Sequence, residues 1–118
     1  MFLLDTYAII EIIKGNENYL PYLDRMVVIN DFIFAELCYI FEREDVPNSD
    51  GYLGKYREFL ISLEPETIKK AMKFRYKNKI RKLSMTDCIS YLQAKELGIK
   101  FLTGDKEFRD MDGVEFVK

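Results

Sequence analysis

The chain has 118 residues, 48% of them hydrophobic and 32% charged, with a formal net charge of −2 at pH 7. That balance belongs to a globular chain, and the length is enough for one domain, residues 1–118, to bury a core of its own. There is no histidine, which excludes Ser-His and Cys-His catalysis and imidazole-held zinc or copper, and leaves carboxylates, Lys, Tyr, Ser and Thr to carry any chemistry.

Met1 to Leu4 is an apolar run closed by Asp5, the pattern of a parallel strand buried on both faces. No basic region precedes it, and it is too short for a secretory signal or a membrane span. A cytoplasmic protein without membrane contact is therefore expected. A helix is expected over 6–14, a break at GNEN (15–18), and a second short helix reaching Arg25. MVVIN (26–30) reads as another buried strand and Asp31 to Glu44 as a long apolar helix. The clearest loop is DVPNSDG (45–51), where turn formers cluster, and a helix over 52–60 comes after it.

Pro65 fits the first turn of the next helix, where its missing N–H costs nothing. Ile68, Ala71, Met72 and Tyr76 would form that helix's inner stripe, with Lys69, Lys70, Lys73 and Lys77 outside. Ser84 starts one more helix and Gly98 ends it. KFLT (100–103) and VEFV (114–117) read as the third and fourth strands. Alternating strands and helices imply an α/β fold, a mostly parallel sheet with helices on both faces.

Cys38 and Cys88 each sit alone in an apolar stretch, without metal-ligand spacing, and read as small buried hydrophobes. The segment 69–82 (KKAMKFRYKNKIRK) holds 8 of the 18 basic residues and no acid. A basic strip on an otherwise acidic chain suits a polyanion such as RNA; its plainer reading is a solvated helix face.

In parallel α/β folds function gathers at the carboxyl ends of strands. Asp5 ends the first strand, Asp105 lies two residues past the third, Glu36 lies in the second turn of the helix after MVVIN, and Asp87 in the first turn of the helix after Ser84. Three of them have structural readings: Asp5 as the cap of the helix after it, Asp105 as the cap of a short turn, and Asp87 as the acidic partner of a capping box with Ser84. Glu36 is the only charged residue between Phe32 and Phe41, and no basic residue lies one turn away to neutralise it. Carboxylates converging without basic partners repel one another, and a divalent cation offsets that repulsion. All-oxygen donors point to Mg²⁺ or Mn²⁺.

These residues carry a resemblance. MFLLDTY (1–7), NDFIFAEL (30–37) and SMTDCISYLQAKELGIKFLTGDKEF (84–108) together resemble the PIN-domain family, the nuclease fold of many prokaryotic toxins of the VapC type, over essentially the whole chain. The resemblance implies a three-layer α/β/α PIN-like fold and an endoribonuclease that hydrolyses RNA phosphodiesters with Mg²⁺ or Mn²⁺. It implies metal-binding acids at Asp5, Glu36, Asp87 and Asp105, with Thr6 and Thr103 as hydroxyls ordering the site. It also implies a homodimer and a small antitoxin protein as partner. The basic strip, at Lys69, Lys70, Lys73 and Lys77, would hold RNA phosphates. Asn30 stands where the family often has Ser, and Ile89, Tyr91 and Leu92 are bulkier than the small residues common after the third acid. Two other readings are a phosphoryl-accepting receiver domain, which would want adjacent acids after its first strand, and a non-catalytic PIN-like module that binds RNA or protein.

Overall fold

The computed structural model describes all 118 residues. Its apolar runs pair into a four-stranded sheet of order β2-β1-β3-β4, with β1 at Phe2–Leu4, β2 at Val27–Val28, β3 at Lys100–Thr103 and β4 at Val114–Phe116. Every pairing is parallel, so the sheet expected to be mostly parallel is wholly so. The two central strands are the most apolar: Leu3, Leu4, Phe101 and Leu102 are all buried, as strands covered on both faces require.

Five helices supply that cover: α1 Thr6–Ile13, α2 Asp31–Arg43, α3 Ser49–Arg57, α4 Pro65–Lys77 and α5 Met85–Leu97. α5 is capped at both ends as its sequence demands. Ser84 and Asp87 exchange side-chain-to-backbone bonds at its start, and Gly98 adopts a left-handed φ of 70° at its end, a conformation that glycine reaches without a Cβ penalty. Asn30 caps α2 through the Ile33 amide, and its own amide nitrogen bonds Ser90 Oγ and Gln93 Oε1, each at 3.0 Å. One fully buried side chain thereby ties α2 to α5.

Five local expectations change. The short helix before Arg25 is a 3-10 helix over Glu17–Tyr22 with Pro21 inside it, since the proline ring would clash with the carbonyl four residues back in an α-helical turn. The loop at 45–51 is shorter than expected: α3 begins at Ser49, three residues ahead of Tyr52, and ends at Arg57. Asp50 lies in its first turn, where an acid favours a helix start. MVVIN contributes a strand of only two residues to the sheet, and Ile29 pairs instead with Leu60 in an isolated parallel bridge. Tyr76 is not part of the inner stripe of α4: it is 71% exposed, and Thr67 is buried beside Ala71 in its place. Cys38 and Cys88 are free thiols: Cys38 is only half-buried, against expectation, while Cys88 is buried and its pKa is pushed up to about 11, as the reading of an inert packing residue requires.

The topology fixes where loops and acids meet. β1 connects outward to β2 on one side, while its neighbour β3 connects to β4 on the other. The chain therefore diverges between β1 and β3, and the crevice beyond their carboxyl ends is the topological switch point of the sheet.

Candidate functional site

Asp5 and Thr103 stand at that switch point. The Asp5 amide bonds the Leu102 carbonyl at 2.9 Å, extending the β1–β3 register by one residue and setting the two side chains together. Thr103 Oγ1 donates to Asp5 Oδ2 at 2.6 Å, and the Thr6 amide donates to Asp5 Oδ1 at 2.8 Å. The same Thr103 hydroxyl oxygen accepts the Asp105 amide at 3.0 Å, so one side chain positions two acids. Thr6 joins the third, donating from Oγ1 to Glu36 Oε1 at 2.8 Å across from α2. Both threonines thus contact acids directly.

The capping readings hold as well. Asp5 caps α1, Asp87 completes the box with Ser84, and Asp105 Oδ1 accepts the Glu107 amide at 3.0 Å to start a 3-10 turn over Lys106–Phe108. Capping consumes one carboxylate oxygen of Asp87 and one of Asp105, and Thr6 consumes one of Glu36. Asp87 Oδ1, Asp105 Oδ2 and Glu36 Oε2 stay free, and none is a buried atom without a partner. All four acids line one cleft of about 330 Å³. A cap and a ligand are therefore compatible roles for one carboxylate here.

The electrostatics match the geometry. Asp5 is only 4% exposed, and its pKa is raised from 3.8 to about 7. Burial is the main cause; the charges of Asp87 and Glu36 add to it, and the bonds from Thr103 and the Thr6 amide oppose it. Burial also raises Asp87, against its bonds to Ser84 and with the charges of Asp105 and Glu36. None of the molecule's ion pairs involves any of the four acids. Glu36 is half-buried, less enclosed than its apolar helix suggests, and its partner is a threonine hydroxyl.

The basic strip lies elsewhere. Lys69 approaches Glu66 at 4.0 Å and Lys70 approaches Glu96 at 3.3 Å. Lys73 and Lys77 are exposed without an acidic partner, and none of the four lines the cleft. The lysine that does is Lys14, with Tyr7, Ile10 and Glu11 beside it. Tyr7, Ile10, Glu11 and Lys14 follow one another at helical spacing on α1 and its C-terminal cap, so a 3.6-residue period begun at Tyr7 would have found them.

Residues 2–114 match the family model described as PIN domain. The chain belongs to the PIN domain family. Its fold is similar to that of several solved structures. The Mycobacterium tuberculosis protein VapC20, described as a Sarcin-Ricin loop cleaving toxin, aligns over 100% of both chains with a TM-score of 0.83 at 13% identity. A toxin–antitoxin complex from Klebsiella pneumoniae aligns over 98% of this chain and 96% of the other, with a TM-score of 0.78 at 18% identity. FitAcB from Neisseria gonorrhoeae covers 98% and 96%, with a TM-score of 0.70 at 18% identity. No curated protein matches the sequence. No helix is long and apolar enough to cross a membrane.

Proposed function

We propose that this PIN domain is an endoribonuclease dependent on Mg²⁺ or Mn²⁺, the toxin of a toxin–antitoxin pair, that hydrolyses RNA phosphodiesters at Asp5, Glu36, Asp87 and Asp105. The observation that carries the reading is four carboxylates on one cleft with no cationic partner, one of them so buried that its pKa stands near 7. Such a cluster is costly unless protonated or occupied by a cation.

The donor set fits a hard divalent ion. It is all oxygen, and three of its atoms are open to the cleft. No group of three or more of these acids is drawn together closely enough to hold an ion directly, which suits Mg²⁺, an ion that takes one or two carboxylates and keeps several waters. Asp5, Asp87 and Asp105 would hold it, at least one of them through a water, with Glu36 directly or through water. When bound, the cation supplies Lewis acidity toward a phosphodiester and lowers the pKa of water in the cleft. The chain's own residues do the rest. Thr103 Oγ1 fixes the Asp5 rotamer, Thr6 Oγ1 fixes that of Glu36, and Glu36 Oε2 is free to accept a proton from an attacking water. Lys73 and Lys77, exposed on α4 without an acidic partner, hold phosphates away from the scissile bond.

The partners are inferred from the relatives. Similarity to a toxin–antitoxin complex supports a small antitoxin protein as inhibitor, and a homodimer in the cytoplasm completes the proposal.

The test incubates the purified protein with mixed single-stranded RNA and Mg²⁺ or Mn²⁺, beside EDTA and the Asp5→Asn variant. Cleavage that requires both metal and Asp5 is expected. Cleavage by Asp5→Asn at the wild-type rate would remove the acid cluster from the mechanism. Metal binding without turnover on any RNA would favour a binding module instead.

A further inference from the structure

The exposed ring of Tyr76 points to a second feature of the surface. A pocket of about 370 Å³ is lined by Arg75, Tyr76, Lys79 and Arg81 over a floor of Met72 and Leu83. Its cations are held in place. Arg75 Nε donates to the Leu83 carbonyl at 3.1 Å, and Arg81 Nη1 donates to the Glu107 carbonyl at 3.0 Å. Each guanidinium spends one N–H on the backbone and keeps others for a ligand, so its orientation is set before binding. The Lys79 ammonium lies 4.7 Å from the Tyr76 ring centroid, leaving the opposite face of the ring for another planar group. None of these cations is in an ion pair with an acid.

The position of the pocket gives this chemistry a use. Leu83 immediately precedes Ser84, and Asp87 is less than one helical turn beyond it, about 4.5 Å along the axis. Glu107 belongs to the 3-10 turn that Asp105 caps. The two segments that anchor the pocket's arginines are thus the two that carry half of the acidic cleft. Fixed cations beside an exposed aromatic face are the combination that holds single-stranded nucleic acid, with phosphates on the cations and a base on the ring.

We propose that this pocket is a nucleotide subsite for the RNA strand flanking the scissile bond, with a base stacked on Tyr76 and its phosphate held by Arg75, Lys79 and Arg81. This rests on the ribonuclease reading and names where its substrate is gripped. It adds to the outer lysines of α4, which hold more distant phosphates, a grip at the helix's end and the turn after it.

The experiment measures the Kd of a labelled single-stranded RNA in EDTA across a salt series, with cleavage in Mg²⁺ followed separately. Tyr76→Ala is expected to weaken binding about five- to a hundredfold, the range for losing one stacked base, with the salt slope unchanged. Lys79→Gln and Arg81→Gln are each expected to reduce that slope by about 0.7, one phosphate contact on a single strand. Arg57→Gln, which removes one charge from α3, is expected to bind as wild type. Melting curves establish that each variant folds. Wild-type Kd and slope in all three pocket variants, from a protein that still binds and cuts RNA, would overturn the subsite and leave the nuclease standing. A protein that neither binds nor cuts RNA would overturn both. An equal loss by Tyr76→Ala toward inorganic polyphosphate, which has no bases, would overturn the stacking role.

Discussion

Asp5 is asked to do three things at once: cap α1, accept from Thr103 and sit unpaired among other acids. The last has a thermodynamic signature. The unfolded chain ionises this carboxyl near 3.8, whereas the folded chain keeps it protonated up to about 7. Folding therefore takes up a proton between those values. The stability tied to it is complete below the lower value and is lost as pH rises through the upper one, about 4 kcal/mol for this group. Melting in EDTA should accordingly show a higher Tm at pH 5 than at pH 8. Asp5→Asn, which keeps a capping oxygen but cannot ionise, should flatten that difference and melt higher than wild type at pH 8. Thr103→Val should lower cleavage about 10- to 100-fold, the usual cost of losing a residue that orients a metal-binding group, as measured by initial rates at saturating Mg²⁺. The acids themselves were legible in the sequence, because strand ends and helix starts can be counted along the chain. Their hydroxyl partners were legible only as types: that Thr103 serves Asp5 and Thr6 serves Glu36 depends on the β1–β3 register and the approach of α2.

At the scale of elements, the contacts that hold the site's walls together are polar. Asn30 links the cap of α2 to Ser90 and Gln93 on α5 with no exposed surface of its own. Asn30→Ala leaves these groups short of partners and should cost about 2–3 kcal/mol, seen as a lower urea midpoint with unchanged m. Gly104, between Thr103 and Asp105, sits so close to Tyr7 and the Val117 carbonyl that an added Cβ would overlap both. Gly104→Ala should therefore cost about 1–3 kcal/mol by overpacking and disturb cleavage as well. The periodicity of α4 identified its buried side correctly at Ala71 but not at Tyr76. A helical stripe continues only while there is something to pack against, and Tyr76 lies one residue from the helix's end. Nor did the strip show which of its lysines are paired. Glu96 reaches Lys70 only because α4 packs on α5, and no local pattern encodes that.

Across the whole molecule, the segments that carry Asp87 and Asp105 in the acidic cleft also anchor Arg75 and Arg81 of the cationic pocket, the layout that the proposed cutting of a polyanion needs. The same topology orders events in time. β3 is central to the sheet, between β1 and β4, yet it begins at Lys100, after five-sixths of the chain. On the ribosome, residues 1–97 can form their helices and pair β1 with β2, but the strand that carries Thr103 and leads to Asp105 has not yet emerged. The cleft closes only when β3 inserts beside β1, a contact between residues nearly the full chain apart and therefore among the last to form. On the proposed ribonuclease reading, a chain laid out this way has no complete acid cluster until nearly all of it has been made.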